Sequence, residues 1–348
     1  MKTTLQILAV MVSLGTFAPH IRCDHWTIRG WDFPRLQLFV AAVATLAVLL
    51  AMGVDGGWWD SAVMCLLAVA AIHGAVWMWP YTRLAAHQAL PANGESALKV
   101  VVANVLMSNR RSDLLLDEIR RCDPDLFVAV ETDQWWCDEI STLSDIYPHA
   151  VELPQDDTYG MVIRSRLPLV ETQVETLVKP EIKSVHTGVR MPNGRTLRMH
   201  AVHPKPPFPD EAEDSTGRDA ELLIVGRRVA EHDGPTIVLG DLNDVAWSRT
   251  TKLFQRVSGL LDPRIGRGFF STFHAKHRWM RWPLDHVFFS RHFRLREMKR
   301  LGPIGSDHFP ILADFSFEPE NGDDQDPPVM DAGDEHAAER KIENARDR

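Results

Sequence analysis

The sequence predicts a layered α/β domain carried behind three apolar spans, and three observations predict it. From Leu98 onward, short β-branched runs alternate with amphipathic stretches over about 220 residues, the pattern of a strand–helix fold. Before that, residues 36–54 and 61–79 contain no Asp, Glu, Lys or Arg. After it, residues 318–348 hold eleven acidic and four basic residues, a net of −7. The whole chain of 348 residues carries −9, so residues 1–317 carry only −2. Its acidity belongs to a tail. With 45% hydrophobic and 24% charged residues, a wholly disordered or collagen-like chain is excluded.

The apolar spans come first. Leu36–Gly53 (LQLFVAAVATLAVLLAMG) and Ser61–Trp79 (SAVMCLLAVAAIHGAVWMW) approach the ~20 residues that an α-helix needs to cross the hydrocarbon core. Neither shows the polar stripe of a soluble surface helix. Trp58, Trp59, Trp77, Trp79 and Tyr81 sit at their ends, as an interfacial belt would. Thr3–Ile21 is also uncharged but carries Gln6, Ser13, Gly15, Pro19 and His20. It reads as a retained first helix, or as a signal peptide cleaved near Ala18. Arg22, Arg29, Arg35 and Arg83 favour a cytoplasmic domain by the positive-inside rule, whereas Lys2 and the free amine pull the other way. A three-span anchor with Lys2 inside places residue 97 onward outside. The division expected is therefore an anchor over 1–80, a polar Pro- and Gly-containing linker over 81–96, a folded domain over 97–317 and a disordered tail over 318–348.

Within the folded domain, Leu98–Val105, Asp125–Glu131, Tyr159–Ser165, Thr196–Val202, Pro235–Leu239, Leu284–Ser290 and Pro310–Phe315 read as strands. Ser112–Arg121 is an amphipathic helix with Ser112 as its cap, and Arg218–His232 is a second helix. Cys23, Cys65, Cys122 and Cys137 show no CxxC spacing, so neither a zinc site nor a disulfide scaffold is indicated.

Polar residues gather where these strands end. Asn104 and Glu131 close the first two strands, His203 follows the fourth, and Asp241 and Asn243 follow the apolar run ending in Gly240. Asp285 and His286 open another strand, and Ser306, Asp307 and His308 precede the last. Singly, each reads equally well as a turn former or a cap, and His286 as a neighbour packed beside Asp285. Together they supply oxygen ligands for a hard cation with imidazoles beside it.

In that order the motifs NVLMSN (104–109), PDLFVAVET (124–132), YGMVIRSRLPL (159–169), HP (203–204), GDLN (240–243), STF (271–273), LDHVFFS (284–290) and GSDHFPI (305–311) resemble the endonuclease/exonuclease/phosphatase superfamily. That group includes DNase I-like nucleases, abasic-site endonucleases, sphingomyelinases and inositol polyphosphate phosphatases. The resemblance covers residues 97–317, and with the apolar spans it extends to membrane-attached bacterial members. It implies a four-layer sandwich of two mixed β-sheets flanked by helices, with the site at the edge where loops converge. It implies a divalent-metal-dependent phosphoester hydrolase using Mg²⁺ or Mn²⁺, with Glu131 as principal ligand and Asn104 and Asp307 at the same metal. Asp241 then orients or deprotonates the attacking water, and Asn243 holds a phosphate oxygen or that water. His308, oriented by Asp285, stabilises the phosphorane, and His203 donates to the phosphate or the leaving oxygen.

The substrate stays open between nucleic acid, favouring an endonuclease or other phosphodiesterase, and a phospholipid or sphingolipid in the plane of the anchor. A non-catalytic membrane scaffold is the reading from another class. The location implied is a bacterial inner membrane, multi-pass, with the domain extracytoplasmic. Residues 264–300 add ten Lys/Arg against two acids, with Trp279 and Trp282 among Lys276, Arg278 and Arg281. Such a loop serves a nucleic-acid backbone, an anionic lipid surface, or only solvent.

Overall fold

The computed structural model describes residues 2–53, 57–95, 97–209 and 211–346. The N-terminal region forms α1 (Lys2–Phe17), the single turn α2 (Trp26–Arg29), α3 (Arg35–Ala51) and α4 (Trp58–Met78). Pro19 lacks an N–H to continue α1, and the chain tightens there into a 3₁₀ turn at Ala18–His20. The three longer helices pack through Ala9, Val12, Ala42, Leu49, Val63, Leu67 and Ala71, while Leu14, Val40, Ile72 and Val76 stay exposed on their outer faces. Among the described residues one helix, Trp58–Tyr81, is long and apolar enough to cross a membrane. Trp26–Asp32 with Arg35–Ala51 makes a second only when counted together across a 69° bend.

The rest is a sandwich of two mixed sheets. The first sheet holds β1 (Leu98–Asn104), β2 (Leu126–Val130), β3 (His149–Leu153), β4 (Met161–Ser165), β10 (Phe293–Arg300) and β11 (Ile311–Phe317) in the order β10-β11-β1-β2-β4-β3. The second holds β5 (Leu169–Glu175), β6 (Ser184–Arg190), β7 (Thr196–Ala201), β8 (Thr236–Asp241) and β9 (Asp285–Phe289), in chain order. Val100, Val102, Val128 and Ile163 of one sheet pack against Met199, Ile237, Leu239 and Val287 of the other. Period-2 alternation then forces the opposite face of each strand outward, and helices cover it. On the first sheet these are α5 (Ser112–Cys122) and α6 (Gln134–Ser141); on the second they are α7 (Thr216–Ala230) and α8 (Arg249–Ser258). Helices α5 and α7 are the crossovers between parallel pairs, β1 to β2 and β7 to β8.

Every strand expected from sequence is present. Four others were not expected. β3 and β5 are polar sheet edges without a buried alternation, β10 is a basic edge strand, and β6 contains His186 and Gly188. Ser112 does not cap α5: Arg111 occupies the N-cap, and Ser112 Oγ donates instead to Glu139 Oε2 at 2.6 Å, tying α5 to α6. The linker is not free, for Ala92 N donates to Leu295 O and runs beside β10.

The acidic tail is a correction as well. Ala332–Arg346 forms α9, and Ala338, Ile342 and Ala345 bury a stripe against α7 and α8. That i, i+4, i+7 stripe is narrow, which is why composition hid it. Its charges are also paired: Arg256 with Asp334, and Lys341 with Asp24 and Asp219.

The helical bundle docks on the sandwich. Trp77 Nε1 donates to Trp247 O (2.9 Å), Tyr81 OH to Ala246 O (2.8 Å) and Trp247 Nε1 to Asp32 O (2.7 Å). Met78, Tyr81, Val245, Ala246, Trp247 and Leu284 form one apolar cluster across the junction.

Candidate active site

Strand ends from both sheets build the site. Asn104 ends β1 and pairs with Val130 of β2, so Glu131 emerges beside it; Asp241 ends β8 and its register partner across β9 is Asp285. Glu131 (φ 61°) and Asn243 (φ 50°) lie in the left-handed region, which side chains other than glycine enter at a cost of roughly 1 kcal/mol. Two glycines permit the close backbone approaches beneath them. A Cβ on Gly240 (φ +141°) would stand 1.9 Å from Val202 O, and one on Gly160 would stand 1.8 Å from Thr132 O.

Seven of the eight predicted residues are linked by contacts of 4.0 Å or less, and Asp307 adjoins His308 in the chain. Asn104 Nδ2 donates to Glu131 Oε1 (2.6 Å) and to Asp241 Oδ2 (3.0 Å), bridging the two sheets. Asn243 N donates to Asp241 Oδ1 (2.9 Å), and Asn243 Nδ2 to Pro204 O (3.0 Å). His308 shares a hydrogen bond between Nδ1 and Asp285 Oδ2 (2.8 Å), with its Nε2 3.6 Å from Asp241 Oδ2. His203 Nε2 lies 4.0 Å from the same oxygen. Asp307 neighbours His308 at the open side, where Glu131 and Asn243 are also partly exposed; the others are buried.

Charge in the cleft is strongly polarised. Burial would drive the His308 imidazole toward neutrality, but Asp285 and Asp241 outweigh it and lift its pKa to about 10. Burial works against the Asp241 carboxylate too, yet His308, His203 and the donors of Asn104 and Asn243 hold it below the usual carboxylate range. Burial lowers the His203 imidazole, against the pull of Asp241. Burial, reinforced by Asp241 and Asp307, pushes Glu131 up to about 7 despite the Asn104 hydrogen bond.

Asp241, Asp285 and His308 are grouped closely enough to ligate a cation. A protonated imidazole is no ligand, however, and His308 is already clamped by both carboxylates. The better fit is at the open side. Glu131 and Asp307 are hard oxygen donors, Asn104 Oδ1 accepts one hydrogen bond among the described residues (from Leu106 N, 3.0 Å) and keeps a lone pair, and the raised Glu131 carboxyl is what an adjacent cation would ionise.

Behind the site lies a layer that sequence reasoning missed. Thr272 Oγ1 accepts from Leu284 N and Asp285 N, both at 3.2 Å, holding Asp285 in place. The Tyr159 ring lies tilted 5.5 Å from the His203 ring, and its hydroxyl donates to Glu211 Oε2 at 2.7 Å. Arg218 Nη1 donates to Asn243 O, and its guanidinium is also paired with Asp219 and Asp244. Asp244 in turn lies 3.7 Å from Arg29 of α2. Thr272 and Tyr159 sat inside quoted motifs; nothing local marked Arg218, which looks like one more charge on a helix. His286 has no place in the cleft and bonds Asp244 O and Arg264.

Carboxylates, amides and a clamped imidazolium therefore meet at the strand ends of a two-sheet sandwich. The chain belongs to the Endonuclease/Exonuclease/phosphatase family, which it matches over residues 101–308. It is 29% identical over 177 residues to a UPF0294 protein of Klebsiella pneumoniae (strain 342); the match covers 48% of this chain and 61% of that relative's length. In fold it resembles the human Nocturnin catalytic domain with bound sulfate (TM-score 0.53, 20% identity, 65% of this chain and 96% of that one). It also resembles D. rerio TDP2 complexed with a single-strand DNA product (TM-score 0.53, 18% identity, 64% and 100%).

Proposed function

We propose that this chain is a membrane-anchored phosphodiesterase that works with Mg²⁺ or Mn²⁺. The observation that carries the chemistry is Asp241. It is buried, hydrogen-bonded by Asn104 and Asn243, and 3.6 Å from His308, so a carboxylate base and an imidazolium face one small space. A water there loses a proton to Asp241 as its oxygen bonds to phosphorus. The ester P–O bond breaks, the departing oxygen takes a proton from solvent at the open side, and Asp241 returns its own to solvent. His308, fixed by Asp285, stabilises negative charge gathering on the phosphoryl oxygens, and Asn243 and His203 orient the group. Glu131, Asn104 and Asp307 would hold the metal, which supplies charge neutralisation at those same oxygens.

The anchor reading is supported by the outer faces of α1, α3 and α4. Leu14, Val40, Ile72 and Val76 are more than half exposed there, a continuous apolar surface that water disfavours and lipid accepts. Lys2, Gln6 and Asp60 meet at the end of the bundle remote from the sandwich. We place that end inside and the sandwich outside a bacterial inner membrane.

The test is hydrolysis of bis-p-nitrophenyl phosphate by the full chain in detergent, with and without Mg²⁺ or Mn²⁺, beside Asp241→Ala. Metal-dependent turnover lost in the variant is expected. Equal rates in the two proteins would remove the assignment, and a chain recovered from the soluble fraction would remove the anchor.

A further inference from the structure

We propose that the loop 274–282 lies in the headgroup layer of the bilayer that holds the anchor, and that the site acts on a phosphoester carried by a membrane lipid. This rests on the membrane-anchored hydrolase reading and names its substrate class.

The tip of the loop is fixed to the start of α3. Gln37, the third residue of α3, donates from Nε2 to Trp279 O at 2.8 Å, and Phe33, just before α3, packs edge-on against Trp282 at 5.6 Å. Yet the side chains at that tip are largely exposed: Trp279 is 88% exposed and Met280 52%, with Lys276, His277 and Arg278 exposed beside them. An aromatic and a thioether flanked by cations are a poor surface for water. They suit the boundary where apolar groups enter lipid and cations meet anionic headgroups. Trp31 and Trp79 are exposed at the same end of the bundle, where α3 begins and α4 ends.

The root of the loop is at the catalytic cleft. Ala275 N donates to Asp307 O at 2.6 Å, and the Phe273 ring lies 5.0 Å from the His308 ring and stacks on Trp282 at 6.0 Å. Phe33, Trp282, Phe273 and His308 therefore make one aromatic chain from the head of α3 to the imidazolium. A hairpin of nine residues reaches at most roughly 14–16 Å from root to tip. The cleft opens within that distance of the bilayer surface, close enough for a lipid headgroup and too close for a bulky polymer to approach freely from the side of the anchor.

Charge supports the same occupant. A polyanion needs several phosphate contacts along an extended basic face. Arg110 before α5, Arg121 on α5 and Arg166 after β4 are instead paired with Asp133, Glu118 and Asp123. Lys276 and Arg278 of the loop are exposed and form no ion pair among the described residues.

The experiment uses the full chain in vesicles of phosphatidylcholine and phosphatidylglycerol. A fluorophore is placed on Trp279→Cys, in a chain whose Cys23, Cys65 and Cys122 are serine. Quenching by headgroup-attached nitroxide more strongly than by aqueous iodide is expected; quenching by iodide alone overturns the proposal. In the same vesicles, hydrolysis of phosphatidylglycerol and sphingomyelin is compared with that of bis-p-nitrophenyl phosphate. Lys276→Glu with Arg278→Glu should lower the ratio of lipid to soluble-diester rates about tenfold. Metal-dependent cleavage of the soluble diester with no lipid turnover overturns this inference and leaves the hydrolase standing. So does cleavage of single-stranded DNA or RNA that falls with the loop charges. No turnover of any substrate overturns both.

Discussion

Arg218 holds the main chain of Asn243. Its Nη1 donates to Asn243 O at 2.7 Å while Nε and Nη2 are taken by Asp219, and Asp244 lies 3.3 Å away. The guanidinium is 2% exposed, so one buried cation sets the left-handed turn on which Asn243 and Asp241 sit. Asp219 also receives Lys341 of α9, and Asp244 faces Arg29 of α2. The two ends of the chain thus meet behind the catalytic loop. Removing one partner of a buried pair costs about 3–5 kcal/mol because the other charge is stranded. Arg218→Lys keeps the charge but not the fork. It should lower kcat about tenfold, some 1.4 kcal/mol, with KM little changed. Loss of thermal stability with kcat intact would show that Arg218 serves packing alone.

Removing the base should be costlier. Asp241→Ala should reduce kcat about 10³-fold, the usual range for a general base, with the circular dichroism of the fold preserved. EDTA should silence the wild type, with Mn²⁺ or Mg²⁺ restoring it. Glu131→Gln should raise the metal concentration needed for half-maximal rate. A variant as active as the wild type at every metal concentration would take Glu131 out of the metal site.

Gly240 tolerates no side chain. A Cβ there would meet Val202 O at 1.9 Å in a conformation that side chains avoid. Gly240→Ala should cost about 4 kcal/mol or more and lower the melting temperature by roughly 10 °C. A melting curve unchanged by the substitution would mean that β7 and β8 can part at little cost.

Stability should fall as pH rises through the weakly acidic range, because of one buried acid. Glu221 of α7 is 2% exposed and its Oε1 has no hydrogen-bond partner among the described residues; burial pushes its carboxyl up to about 8. The folded state therefore holds a proton that the unfolded state releases above pH 4.5. The stabilising effect is whole below pH 4.5 and is lost progressively up to about pH 8. Glu221→Gln should leave the melting temperature near pH 4.5 unchanged and raise it by several degrees at pH 8. Parallel melting curves for the two proteins across that range would refute this.

Reading the fold from sequence succeeded where neighbours in the chain carry the signal. Val100 to Val102 and Phe127 to Val130 are buried on both faces, and such runs show as apolar sequence whatever surrounds them. Edge strands such as β5, with Glu171, Thr172 and Gln173 at its centre, gain their conformation from hydrogen bonds to β6 and leave no local mark. The acidic stretch 332–346 looked unable to fold because its stripe of Ala338, Ile342 and Ala345 means nothing until α7 and α8 are beside it.

For the site, the sequence by itself determined the residue types: hard oxygen donors and imidazoles at the ends of strands, in a family's order. Tertiary structure alone decided their states. Asn104 and Asp241 are 137 residues apart on different sheets, and His308, in the loop before β11, is 23 residues from Asp285 of β9, so their hydrogen bonds exist only once the two sheets pack face to face. The same packing removes water from both imidazoles, and the carboxylates of Asp285 and Asp241 raise His308 while burial lowers His203. Arg218, Lys341 and Arg29 meet behind Asn243 for that reason also. A buried charge network is a property of distances between elements, and no spacing along the chain encodes those distances.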